Sequence, residues 1–279
     1  SDFTGQVVTE WKTIDQGMCR LPEAMAKVIG EKNIICNSPV QSLKYLDNDR
    51  VEIGYSTSGQ KISLENFDAV ILAIPPSSAR MIPNKPNWSV TLEHGLRAIH
   101  FHSLYKIGLR FKSRFWERED LRPSKGGQSI TDLPCRWVVY PSYGIGDEGK
   151  GVLLQYSWMA DSSHWLPKSN FEKIKLALYD LQELYPDVDI DDEYCGGSPD
   201  DENYLKEAFP VEWAVKWPLG NATFYPNQFS YLYPVMKQPQ RQIFFTGEHL
   251  SLYHTWIVGA LDSAKDTVAQ VLGHKVEYL

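Results

Sequence analysis

The stretch that most restricts what this chain can fold into is Arg241-Gln-Ile-Phe-Phe-Thr-Gly-Glu-His-Leu250, followed by Tyr253-His-Thr-Trp-Ile-Val-Gly-Ala-Leu-Asp-Ser-Ala-Lys-Asp-Thr-Val-Ala-Gln-Val-Leu272. Ile243 to Phe245 form a short apolar run that predicts a buried strand. Ile257, Leu261, Ala264, Val268, Val271 and Leu272 recur on one stripe at helical spacing and predict an amphipathic helix. Between them come a Gly-Glu turn and an aromatic loop, at the carboxyl end of the strand. In an open α/β sheet ligands lie at that end, where the free N–H groups of a helix N-terminus can meet electron-rich ligand atoms. The pattern predicts a cofactor seat.

The rest of the chain supplies two kinds of sheet. Gln16 to Ile29 reads as a Gly turn into a helix, with Pro22 in its first turn and Leu21, Met25 and Val28 on one side. A strand is expected at Ile34 and Ile35. Val40–Tyr45, Val51–Tyr55 and Lys61–Leu64, separated by polar turns, predict a β-meander. Phe67 to Pro75 is a continuous apolar run, the mark of a strand covered on both faces. Alternation through Phe101, Ser103, Tyr105, Ile107, Leu109 and Phe111 predicts one long half-buried strand, with Lys106 facing the same way as Leu104 and Gly108. Trp137–Tyr140 and Gly151–Trp158 are further strands joined by a Gly-rich turn. Phe171 to Leu184 is a helix, and Asp187 to Asp192 an acidic surface turn without the Gly and terminal Glu of a calcium loop. Two interleaved blocks are expected: 14–98 joined in space by 237–279, and an antiparallel domain over 99–236.

Charge and spacing exclude several functions. Among 279 residues the net charge is -7 with no Lys/Arg block, which is not the footprint of a nucleic-acid binder. No run of eighteen apolar residues predicts a membrane span. The nine Trp suit large apolar pockets and a dense core alike. Cys19, Cys36, Cys135 and Cys195 show no metal-ligand spacing and read as free thiols, leaving the redox compartment open. The seven histidines do not cluster, so no metal is expected. G-x-S-x-G and H-E-x-x-H are absent, and no G-x-G-x-x-G dinucleotide fingerprint is recognised. The start at Ser1, without Met or a signal peptide, is expected of a processed product or a fragment.

Several segments carry a family resemblance. Gln16-Gly-Met-Cys-Arg-Leu-Pro-Glu-Ala-Met25 resembles a segment of flavin-dependent L-amino acid oxidases, within the amine oxidase superfamily. Gly127-Gln-Ser-Ile-Thr-Asp-Leu-Pro-Cys-Arg-Trp-Val-Val-Tyr140 is close to that family's text, but Pro141 stands where a second Tyr would be. Gly247-Glu248 and Trp256-Ile257 resemble its C-terminal flavin motif. The resemblance spans nearly the whole chain. It implies a mixed α/β, amine-oxidase-like fold: a doubly wound FAD-binding domain, incomplete in this chain, over 14–98 and 237–279, plus an antiparallel substrate-binding domain over 99–236.

It also implies roles for particular residues. Val40 matches the position whose backbone recognises the adenine of FAD. Gly247 and Glu248 match the turn whose carboxylate meets the ribityl hydroxyls, and Trp256 and Ile257 match residues along the pyrimidine edge of the flavin ring. Trp217 matches an aromatic wall of the flavin pocket. Lys106 matches the lysine that holds a water beside flavin N5. A Lys inside an apolar strand is costly unless it has a task, so its placement points to function independently. Tyr156 matches a tyrosine that hydrogen-bonds the substrate carboxylate. For Val40, Glu248, Trp217 and Tyr156 an ordinary structural role stays open on the residues alone.

Two departures alter the expected pocket. Thr255 stands where the family commonly has Gly, whose carbonyl contacts the substrate amine, and its side chain is expected to narrow the cavity. Trp158 replaces smaller apolar residues. Asp161 is expected to favour a basic substrate side chain and Trp158 an aromatic one.

The implied activity is oxidation of an L-amino acid to the 2-oxo acid, releasing ammonia and hydrogen peroxide, with oxygen as acceptor. The Gly-rich phosphate loop and the arginine that clamps the substrate carboxylate are not in the sequence. The expected partner is therefore an N-terminal chain of the same enzyme that carries the loop, in a dimer or larger assembly, and this chain alone is expected to be inactive. Secretion is the compartment towards which the resemblance leans. A monoamine or polyamine oxidase on the same fold, or a binding relative without flavin, is the alternative.

Overall fold

The computed structural model describes residues 12–213 and 220–274. Trp217 lies outside the described residues. The first helix, α1 (Arg20–Ile29), ends at Gly30, whose φ of 87° turns the chain out of the helix. Its apolar side is not covered among the described residues: no residue of α1 is buried, and Val28 is 90% exposed. Ile34 and Ile35 do not form the expected strand. They follow a short 3-10 turn, are exposed and pair with no described strand.

The meander is present as β1 (Val40–Tyr45), β2 (Val51–Tyr55) and β3 (Ser63–Phe67), paired antiparallel in that order. The next strand, β4 (Val70–Leu72), is shorter than the apolar run around it and is not covered on both faces by the described residues. Ile71 is 40% exposed while Val70 and Leu72 are buried. Helices α2 (Pro76–Arg80) and α3 (Val90–Ala98) follow, the second capped by Ser89, whose Oγ accepts the Leu92 amide.

The expected strand from His100 to Phe111 is two strands in two sheets. β5 (His100–His102) and β6 (Leu104–Phe111) are separated at Ser103, whose hydroxyl pairs with that of Ser162 at 2.6 Å and whose carbonyl accepts the Met159 amide at 3.1 Å. Those bonds tie the backbone to a neighbouring turn, and the chain changes sheets there. β7 (Gln128–Ile130), β8 (Trp137–Val139) and β9 (Gly151–Trp158) precede α4 (Asn170–Leu184), which opens with a capping box between Ser169 and Glu172. The acidic stretch holds a one-turn helix, α5 (Ile190–Glu193), capped by the Asp189 carboxylate. β10 (Ala208–Trp213) completes a five-stranded sheet in the order β10-β6-β9-β8-β7. Its inner face, Tyr105, Ile107, Leu109, Phe111 and Leu153, is fully buried against Ile174, Ala177 and Leu181 of α4. Each such side chain contributes about 1.5–3 kcal/mol by leaving water.

The remaining elements form a second core. β11 (Asn221–Thr223) pairs with β5, α6 (Gln228–Met236) packs on α3, and β12 (Ile243–Phe245) pairs parallel with β4. Ala222, Leu232 and Met236 pack in this core with Leu92, Leu96 and Ile243, so the two cores divide before residue 222 and not at 236. The last helix, α7 (Ile257–Leu272), turns inward with its small residues. Gly259, Ser263 and Thr267 are buried, while Ile257, Leu261, Val268 and Leu272 of the apolar stripe are exposed. Polar chemistry explains the choice. Ser263 Oγ pairs with Thr246 Oγ1 and accepts the Gly247 amide, and Thr267 Oγ1 donates to the Phe245 carbonyl, so this face satisfies the end of β12.

Candidate functional site

Cross-strand register assembles one wall of a cavity. On β6 the residues alternate, so Leu104 and Lys106 stand opposite the buried row. Lys106 pairs with Tyr156 on β9, Tyr156 with Trp137 on β8, and Leu104 with Trp158. Trp137 meets the Tyr156 ring edge-on at 6.1 Å between centroids and the Trp158 ring at 6.3 Å, giving a three-ring corner. The Lys106 ammonium lies 4.9 Å from the Tyr156 ring centroid. Burial pushes the Lys106 pKa down and that of Tyr156 up.

The opposite wall comes from the connection between β12 and α7. Gly247 has a φ of 153°, and a Cβ there would stand 2.5 Å from the His249 ring, so only glycine fits this turn. Burial, with the neighbouring His254, pushes the His249 pKa down to about 4 and keeps the ring neutral. Glu248 folds back over the loop. One carboxylate oxygen accepts the Thr255 amide at 2.8 Å and the other the Ala222 amide at 3.3 Å. Burial raises the Glu248 pKa, and these two amides oppose the rise. Trp256 is the residue before α7, it gives no side-chain cap, and no acidic residue occupies the first turn. The helix N-terminus therefore keeps its affinity for an electron-rich edge.

Between these walls lies a cavity of about 700 Å³ lined by Leu104, Lys106, Trp137, Tyr156, Trp158, Gly220, Glu248, Thr255, Trp256, Ile257 and Ala260. Seven residues singled out from the sequence thus meet in one place, although Lys106 and Ile257 are 151 positions apart. Gly247 adjoins them through Glu248. Val40 does not: it lines a separate, largely apolar cavity of about 740 Å³ along β4 and the residues that follow it. Asp161 is not a wall of the site and is bound to Arg136 at 3.1 Å, so the expected anionic anchor for a basic side chain is already paired.

Sequence reasoning missed Trp137, Leu104, Gly220 and Ala260 as wall residues. The alternation of β8 places Trp137 on one face with Val139, but only the β8–β9 register puts it beside Tyr156. The spacing G-x-G-x-x-G does occur, at Gly144-Ile-Gly-Asp-Glu-Gly149, in the connection between β8 and β9. A strand and not a helix follows it, and Asp147 and Glu148 would repel phosphate.

The site has the chemistry a flavin ring requires. Among the described residues its walls are aromatic and aliphatic, its polar side chains apart from the indoles are Lys106, Tyr156, Glu248 and Thr255, and an uncapped helix N-terminus borders it. Among the described residues no three His, Cys, Asp or Glu side chains could hold a metal, and no helix is long and apolar enough to cross a membrane.

Comparison with known proteins agrees with this chemistry. The family of flavin containing amine oxidoreductases matches residues 2–272. A putative L-amino-acid oxidase of Bacillus subtilis (strain 168), YobN, is 33% identical over 255 residues, covering 90% of this chain and 50% of its own length. The L-amino acid oxidase bordonein-L of Crotalus durissus terrificus is 29% identical over 253 residues, covering 88% and 46%. The chain spans about half the length of the curated relatives it matches. Among solved structures, a cyclohexylamine oxidase from Brevibacterium oxydans IH-35A superposes with a TM-score of 0.73 at 14% identity over 92% of this chain and 52% of that one. A putrescine oxidase bound to putrescine gives 0.71 at 16% identity over 92% and 53%. At these identities the likeness is one of fold: mixed α/β with antiparallel sheets, as in the flavin amine oxidases.

Proposed function

This chain belongs to the flavin-containing amine oxidoreductase family, whose cofactor is FAD, and from that premise we propose that it forms the ring-binding and substrate-binding half of an L-amino-acid oxidase. The observation that carries this reading is the single cavity in which Lys106 and Tyr156 face Glu248, Trp256 and Ile257. When bound, FAD would supply the two-electron oxidation of the amine-bearing carbon with oxygen as final acceptor, and water would hydrolyse the released imino acid, giving the 2-oxo acid, ammonia and hydrogen peroxide.

This chain's own residues position and exclude. Glu248 would hold the ribityl hydroxyls, the N-terminus of α7 would favour negative charge at the ring edge, and Val40 would meet the adenine through its backbone. Tyr156 would hydrogen-bond the substrate carboxylate, and Lys106, kept less basic by burial, would hold a water over the reacting face. Trp137 and Trp158 would exclude solvent from the substrate side. The pyrophosphate needs a loop that this sequence does not contain. It would come from an N-terminal chain or segment of the same enzyme, within an assembly of two or more copies, and without it the chain would be inactive.

The rival is an amine oxidase, favoured by the fold likeness to the putrescine and cyclohexylamine enzymes. Peroxide release by the full-length, FAD-loaded enzyme, measured with the common L-amino acids and with the amines left by their decarboxylation, separates the two. Turnover of amino acids over their amines is expected. Turnover of the amines alone, or a purified assembly without flavin absorbance, overturns the reading.

A further inference from the structure

Thr255 holds an unusual conformation at the centre of the site. Its φ is 74°, in the left-handed region where a β-branched residue is a steric outlier because its Cβ crowds the following carbonyl. Such a conformation persists only where the surroundings impose it. Here they do so from both sides. The Glu248 carboxylate holds the Thr255 amide at 2.8 Å. On the other side the loop lies so close on α7 that a Cβ built at Gly259 would stand 2.0 Å from the Tyr253 carbonyl oxygen and 2.4 Å from Ser251 Oγ. The loop has no room to relax towards the helix, and the strain falls on Thr255.

A glycine would take this conformation freely, so the threonine side chain is retained against a conformational cost. Thr255 also lines the cavity, between Glu248 and Trp256 and across from the ring corner of Trp137, Tyr156 and Trp158. A β-branched side chain has one rotatable bond and few rotamers, so its two branches form a rigid edge. We propose that Thr255 is a specificity-determining residue that sets the width of the cavity, admitting substrates that are slender or planar beside the amine-bearing carbon and rejecting those branched at the next carbon. The inference rests on the oxidase reading only in taking this cavity as the substrate site.

The test uses the full-length, FAD-loaded enzyme as wild type, Thr255→Gly and Thr255→Ser. The readout is the ratio of kcat/KM for L-norleucine to that for L-isoleucine, with kcat and KM resolved separately. One methyl group of steric discrimination is worth about 10- to 200-fold, so Thr255→Gly is expected to lower the ratio at least about tenfold through the branched substrate, with Thr255→Ser between. A ratio unchanged within about twofold overturns the proposal. Thermal unfolding gives a readout apart from turnover: Thr255→Gly is expected to melt at or above the wild-type temperature because the strain is gone, and a lower melting temperature overturns the claim that the threonine is held against cost. If amino acids are not turned over and amines are, the oxidase reading fails alone. The same variants compared on n-pentylamine and 2-methylbutylamine then test the width of the cavity, with the same ratios deciding.

Discussion

Lys106 and Tyr156 are direct cross-strand partners on β6 and β9, with the ammonium 4.9 Å from the ring centroid, on the cavity side of a sheet whose other side is a fully buried core. A lysine in that place loses water without gaining a carboxylate among its described contacts, and its pKa falls. Lys106→Met in the FAD-loaded enzyme is expected to lower kcat by about a hundredfold, the range of a positioned proton-handling group, with little change in melting temperature. The pH dependence carries a second sign. A lysine with a lowered folded pKa binds fewer protons folded than unfolded, so its contribution to stability rises with pH from the folded value up to the ordinary 10.5. Denaturant titrations across the alkaline range should show wild type gaining on Lys106→Met as pH rises; parallel curves would contradict it.

Tyr156→Phe distinguishes the proposed substrate from the rival. Losing one hydrogen bond to a charged carboxylate costs about 1.5–3 kcal/mol, which is about ten- to a hundredfold in KM for amino acids. KM for the corresponding amines should stay where it was, because they have no carboxylate. An equal effect on both series would remove Tyr156 from carboxylate recognition.

The legible parts of this fold are those whose signal is local. The run Ile243–Phe245 and the helical spacing after Trp256 locate β12 and α7, and strict alternation along β6 places Lys106 on the open face. The inward face of α7 was hidden because Ser263 and Thr267 are selected by bonds to the end of β12 and Gly259 by its close approach to the Tyr253 carbonyl, while the apolar stripe points outward. The break at Ser103 was hidden because the alternation runs through it unchanged, and only bonds to Ser162 and Met159, more than fifty residues away, redirect the chain. Trp137 required a register that no stretch of β8 encodes. The strain on Thr255 is set within its own loop, by the Glu248 carboxylate and by the close approach of the loop to Gly259, a geometry that the residue types alone do not encode.

Gly259→Ala should separate the contribution of loop packing from that of the side chains in the cavity. The added carbon would meet the Tyr253 carbonyl oxygen at 2.0 Å, a backbone atom that cannot rotate away. Overpacking of this kind costs about 1–3 kcal/mol. The loop from Ser251 to Trp256 is expected to shift and, with it, the alignment of Glu248. Thermal unfolding together with a flavin titration of the full-length apoenzyme measures both effects. Unchanged flavin affinity would mean that the ring seat does not depend on this close approach.

Asp180 gives the protein a pH-dependent stability unrelated to catalysis. It is fully buried in α4, its Oδ2 accepts the Cys135 amide at 2.8 Å, and its Oδ1 has no hydrogen-bond partner among the described residues. Burial pushes its pKa up to about 6, against the lowering effect of the Cys135 amide. The folded state therefore holds a proton that the unfolded state, with an ordinary value of 3.8, has released. Between those values the native state binds more protons, so stability is full below about pH 4 as far as this group is concerned and falls as pH rises through about 6. A folded value near 6 against 3.8 corresponds to a loss on the order of 3 kcal/mol at 1.36 kcal/mol per pH unit. Asp180→Asn keeps an acceptor for the Cys135 amide and cannot ionise. Its unfolding free energy should decline less than that of wild type between pH 4 and 7. The comparison is one of slopes, so any fixed cost of burying the new amide cancels. Equal slopes would show that Asp180 ionises in the folded core without penalty.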